Sequence, residues 1–224
     1  MKKASLLILI TLGMLFGCAT HSPIKAPNIN ANMEAQENKQ IVNQVEVMVR
    51  PIISKSDNKA YYDEDLIMYG VLPFHVYFRN TASDGSCHIA AEKTCLMDPN
   101  GASSPPLTLK EVYGKASKSY LRTLGWGAAF GLVGALPSAI NVAVVNERLK
   151  ADYESCMVKS GDLVGGAHTE GSIFFGIDNK IESLDGWKLQ FDFTDEKGPN
   201  LVTFELAGEV EQPRVPKHPA ESSQ

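Results

Sequence analysis

Positive charge is the first thing this chain is short of. Its 21 lysines and arginines face 26 aspartates and glutamates, for a formal balance of −5. No basic run occurs, which argues against nucleic acid as a partner and against a polybasic patch for lipid headgroups. Catalytic signatures are missing too. There is no nucleophile elbow, phosphate loop, dinucleotide fingerprint or HExxH motif. The stretch Gly161-Asp162-Leu163-Val164-Gly165-Gly166 is loosely glycine-rich but lacks the Lys-Ser/Thr that cradles phosphate. The five histidines, at positions 21, 75, 88, 168 and 218, are scattered. A site assembled from distant residues leaves no such trace, so these absences weigh against an enzyme without excluding one. Nothing calls for a cofactor.

Cysteine is sparse as well, with Cys18, Cys87, Cys95 and Cys156 the whole supply. No pair has C-x2-C spacing, so zinc, with His88 or His168 as extra ligands, ranks well below a disulfide. Long apolar runs are few. One spans Leu6 to Leu12 and falls short of the ~20 residues a bilayer crossing needs.

That short run lies in an N-terminus with the parts of an export signal. Lys2 and Lys3 come first, then the apolar run, then Leu15-Phe16-Gly17-Cys18. This last segment resembles the lipobox of bacterial lipoproteins, with Phe16 a less usual filler. The resemblance implies cleavage between Gly17 and Cys18, a diacylglyceryl group on the Cys18 thiol, and acylation of the new amine. Two or more acyl chains anchor stably where one is marginal. Ala19, where an Asp tends to retain such lipoproteins at the inner membrane, favours outer-membrane delivery. An ordinary secretory signal with an accidental cysteine is the competing reading. Cleavage leaves 207 residues with 19 basic and 26 acidic side chains, a balance of −7.

Residues 19–43 are poor in large apolar side chains and read as a tether with roughly 25–30 Å of reach. Gly208 to Gln224 carries three prolines and no apolar periodicity and reads as a disordered tail. Between them, apolar and polar residues alternate with period two in several segments: Val45, Val47 and Val49; Leu72, Phe74, Val76 and Phe78; Ile173, Phe175 and Ile177; Trp187, Leu189, Phe191 and Phe193; Val202, Phe204 and Leu206. Two shorter candidates surround Ile89 and Leu96. Each pattern predicts a strand with one buried and one wet face, as in antiparallel sheets. His75 falls on a wet face, where a surface residue is expected. Turn signals separate the strands at Asn80 to Gly85, Asp98-Pro99-Asn100-Gly101, Asp185-Gly186 and Lys197-Gly198-Pro199-Asn200. About seven short strands of this kind point to a β-sandwich over residues 44–207. A tight turn between the strands at Ile89 and Leu96 would set Cys87 opposite Cys95, so those two are expected to form a disulfide and leave Cys156 free. Asp63-Glu64-Asp65 reads as a capped start to a short helix ended by Gly70, ahead of a calcium site.

Residues 108–157 break the period. Thr108-Leu109-Lys110-Glu111 fits a capping box, and Leu109, Val112, Ala116, Tyr120 and Leu124 form a helical stripe. Pro137 interrupts, Ser138 can cap a second helix, and Ile140, Val144, Leu149, Tyr153 and Met157 line its apolar side. The expectation is a helical hairpin inserted between the fourth and fifth strands. Within it, the 24 residues Thr123 to Asn146 carry no charge, and Gly127, Gly131, Ala135, Ala139 and Ala143 recur at a spacing of four. Small residues so spaced let another backbone approach closely. A buried hairpin is the favoured reading, ahead of membrane contact and of a spanning helix.

Strands, a helical insertion and a last strand group beginning at Gly166 and Gly171 look like bacterial lipoproteins with an immunoglobulin-like sandwich. That resemblance carries no activity over. The reading is a mainly β chain: an immunoglobulin-like antiparallel β-sandwich plus a Gly/Ala-rich helical hairpin. Its expected role is a lipid-anchored envelope module, non-enzymatic, meeting the membrane through its N-terminal lipid and a protein partner or a second copy through the insertion. The alternative is an envelope hydrolase acting on cell-wall or lipid material.

Overall fold

The computed structural model describes residues 38–116, 147–178 and 181–211. The alternating segments become two antiparallel sheets. The first comprises β1 (Lys39–Val42), β2 (Val45–Pro51), β3 (Val71–Asn80) and β8 (His168–Gly176), in the order β1-β2-β3-β8. The second contains β4 (Ser86–Ile89), β5 (Cys95–Met97), β6 (Ser103–Ser104), β7 (Gly161–Val164), β9 (Lys188–Asp195) and β10 (Gly198–Glu205). In it β9 is central. β10 runs along one edge of β9, while β4 and β5 lie end to end along the other. β7 extends the sheet from β4, and β6 extends it from β5.

The two sheets face each other across the main core. Val45, Val47, Val49, Phe74, Val76 and Phe78 of the first meet Leu189, Phe191, Phe193, Val202 and Phe204 of the second. An aromatic pair joins the two faces, Phe78 and Phe191 packing T-shaped at 5.3 Å between centroids, and within the second sheet Phe191 meets Phe204 at 5.9 Å. Such pairs add about 1 kcal/mol beyond their area.

The other face of the first sheet is covered as well. Against it lie α1 (Lys55–Tyr62), a 3-10 turn (Leu66–Tyr69), α2 (helical residues 109–116) and α3 (helical residues 147–156). Ile52, Tyr62, Leu66, Val71, Val112 and Phe174 are among the side chains of this second core, with Leu149, Tyr153 and Cys156 from α3. β3 is therefore buried on both faces along nearly its whole length. His75, expected on a wet face, is fully buried; the helices occupy the space where water was expected.

Both ends of the helical insertion are bonded to the free edge of β8. Leu107 N donates to Phe174 O at 2.7 Å, and Val158 N donates to Ser172 O at 3.1 Å. The capping box forms as its spacing implies: Thr108 N donates to Glu111 Oε2 at 2.8 Å and Glu111 N to Thr108 Oγ1 at 3.3 Å. The insertion lies between β6 and β7, two strands later than expected, because the short β1 and β6 left little pattern. Gly127, Gly131, Ala135, Ala139 and Ala143, with Pro137 and Ser138, lie outside the described residues, as do Gly17 and Cys18. No helix among the described residues is long and apolar enough to cross a membrane.

Three further expectations change. β1 occupies the end of the presumed tether; it turns into β2 through Asn43 and Gln44, both at positive φ (48° and 66°). At the other end Val210 is buried and bonded to Glu182 O, and Glu211 N donates to Ile53 O, so residues 208–211 of the expected tail belong to the packed body. Asp63 does not start a helix. It ends α1 in the left-handed conformation, its N–H bonded to Lys59 O, whereas Gly70 does end the 3-10 turn.

Candidate functional site

Two places bring chemically active side chains together. The first lies between the outer face of the first sheet and the helices. Register sets Arg50, His75 and Ser172 side by side across β2, β3 and β8. Ser172 is a hub. Its hydroxyl is 2.8 Å from the Tyr62 hydroxyl of α1 and lies near the Cys156 thiol of α3, which donates to Tyr153 O at 3.3 Å. Burial pushes that thiol up to about 12 and holds the Tyr62 phenol protonated, so neither supplies an anionic nucleophile at neutral pH. His75 has no hydrogen-bond partner on either ring nitrogen among the described residues. Burial, then the neighbouring Arg50 cation, lowers its ring to about 4. Glu170 Oε2 stands 3.9 Å away and would favour the charged ring, but it is partly solvated and burial outweighs it. Arg50 turns outward to Asp57 of α1 at 3.2 Å and lies 5.9 Å from the Tyr61 ring centroid. This cluster is a dry seam joining helices to sheet. It ties elements together rather than meeting a substrate.

The second place is open. An outward pocket of about 290 Å³ lies on the second sheet between β4, β9 and β10, lined by His88, Glu92, Lys93, Asp192, Thr194 and Leu201 among others. Two of its side chains are held from behind. His88 Nδ1 is 2.7 Å from Asp162 Oδ1, and the Ser160 hydroxyl donates to Glu92, holding that carboxyl below its usual range. His88 and Asp162 are largely exposed. Electrostatic catalysis gains its strength in water-excluded sites, so this solvated surface suits contact with a polar ligand or a partner better than bond chemistry. Among the described residues no three His, Cys, Asp or Glu side chains could hold a metal ion.

The expected Cys87–Cys95 bridge is not formed; both are free thiols, as is Cys156. The reason is the pairing. β4 and β5 do not form a hairpin with one another: Ile89 pairs with Phe193 of β9, and Cys95 with Gln190. Cys87 and Cys95 therefore sit about 17 Å apart along one edge, far past the ~7 Å limit for a disulfide. Cys156 falls on the second helix of the insertion, as expected. Exposure then orders the reactivity. Burial raises the Cys87 and Cys156 thiols, whereas Cys95 is only half-buried, with its Sγ 3.5 Å from Gln190 Oε1. Under native conditions an alkylating reagent should modify Cys95 first, with Cys87 and Cys156 protected until unfolding; a Cys87–Cys95 crosslinked peptide would contradict this pairing.

The pocket and the seam were both missed by sequence reasoning. Their members lie far apart in sequence, Tyr62 and Ser172 by 110 residues, and no spacing rule joins them.

No family model matches the chain, and no curated protein matches it. Among solved structures the chain is similar to a crystal structure described as "Putative ApaA Protein from Bordetella pertussis", at 13% identity. The alignment covers 76% of this chain and 95% of that one, with a TM-score of 0.34. At that score the likeness carries nothing about fold or function.

Proposed function

We propose that this protein is a lipid-anchored envelope lipoprotein acting as a non-enzymatic binding or accessory module. The observation that carries the reading is Leu15-Phe16-Gly17-Cys18 behind a short apolar run and two lysines. Lipid on Cys18 would hold the chain at the outer membrane, with a short tether before the body. On this reading the two facing sheets form an immunoglobulin-like sandwich, and the insertion provides the association surface.

Support for that second part comes from α2 and α3, whose apolar sides pack in one core. Glycine costs a helix about 1 kcal/mol relative to alanine, so the helical reading of the sequence around Gly127 and Gly131 calls for a compensating close contact. Gly131→Leu in the full lipidated chain, extracted in detergent, should abolish that contact and with it the larger species expected in sedimentation and crosslinking. Lys118→Leu should leave that species intact. Equal behaviour of the two variants would remove the insertion from the proposed role.

A further inference from the structure

His75 is the one histidine buried without a hydrogen bond among the described residues, and the seam it occupies joins the covering helices to the sheet. We propose that His75 is an acid-sensitive latch, whose protonation releases α1 and α3 from the outer face of the first sheet.

The geometry leaves a protonated ring nowhere to go. An imidazolium needs two acceptors, and the described residues give neither nitrogen one. Charged and titratable groups face it from every packed element. β2 contributes Arg50, a second cation beside it in register. β8 contributes Glu170, 3.9 Å away and partly solvated. From α1 come Asp57, already bonded to Arg50, and Tyr61 and Tyr62; from α3 comes Cys156, a protonated thiol that donates to Tyr153 O. Lys115 of α2 points to the carbonyls of Tyr69 and Gly70. None of these accepts a hydrogen bond from either His75 nitrogen. Water can, but only if the covering helices lift. The same row holds those helices, through the Ser172 hydroxyl to Tyr62, through the Ser172 carbonyl to Val158 N just after α3, and through Arg50 to Asp57. Hydrating His75 therefore breaks the contacts that dock both elements.

The sign follows from the lowered ring. A histidine whose folded value lies below 6.5 favours the docked form fully above 6.5, and that preference is lost as pH falls toward about 4. Between about pH 7.5 and about pH 4.5 the undocked form should gain roughly 70-fold over the docked one.

Amide exchange of the full mature chain, corrected for intrinsic rates, tests this. Residues 55–62 and 147–156 should open roughly 70-fold more readily at the acid end, while β9 and β10 keep their protection. His75→Leu, apolar and close in volume, should flatten that dependence. Unchanged acid sensitivity in His75→Leu overturns the latch. Should that variant fail to fold, the wild-type ring decides through its labelled-histidine resonance. A ring that stays neutral below pH 5 until the helices open supports the latch; one that titrates near 6.5 with the helices still protected overturns it.

Discussion

Gly171→Val should be among the most damaging single substitutions in the body, lowering stability by about 3 kcal/mol or more. The glycine is not there for its backbone freedom, since its φ is not in the left-handed region. It is there for space. A Cβ at Gly171 would lie 2.6 Å from Val158 N and 2.8 Å from both Cys156 O and Val158 Cα. All three are backbone atoms, so no rotamer change relieves them. Relief requires pulling the end of α3 off β8, which breaks the Val158 N to Ser172 O bond and disturbs the Ser172 hub. Gly114 is the contrast: it lies in α2, and an added Cβ meets nothing within 4 Å. Gly114→Ala should stabilise by about 0.5–1 kcal/mol, the usual helical preference. Thermal melts of the pair should diverge by roughly 7–16 °C or more. Similar melting temperatures would mean that α3 does not dock on β8 as described.

Phe191→Ala should cost about 3–5 kcal/mol. Phe191 sits at the middle of β9 and is almost wholly buried. Its ring touches Phe78 from the opposite sheet and Phe204 from the neighbouring strand. Truncation removes the transfer free energy of the ring, the edge-to-face contacts and the contact between layers at once, and the surrounding β-strands cannot collapse into the gap. Leu201→Ala, one register position away at Asp192 on the paired strand, changes a half-exposed side chain and should stay within about 0.5 kcal/mol. Denaturant unfolding of both variants compares them directly. A small loss for Phe191→Ala would mean that the two sheets do not share a core.

The strands were legible because a half-buried strand writes its faces into the sequence with period two. In β9, Leu189, Phe191 and Phe193 point into the core, while Lys188, Gln190 and Asp192 between them stay at least partly in water. The capping box was equally legible, because its two hydrogen bonds depend only on residues three apart. What sequence could not give was everything set by what lies over a face. His75 sits between apolar Phe74 and Val76 and reads as a wet-face residue until α1 and α3 are placed above it. The cysteines failed for a related reason. Two short strands near each other in sequence suggest a hairpin, but β9 takes both as partners, and nothing local in Cys87 to Cys95 records a strand 95 residues away. The β1–β2 turn hid because Asn43-Gln44 adopts left-handed geometry without a glycine to announce it.

The central claim is the anchor on Cys18, and cell fractionation of Cys18→Ser tests it most directly. The wild-type chain should stay with membranes through a high-salt wash and yield to detergent, as expected for two or more acyl chains. Cys18→Ser should appear as unprocessed or soluble protein, absent from the washed membranes. Cys18→Ser protein that remains in the washed membrane fraction at wild-type levels, with its signal removed, would contradict the account.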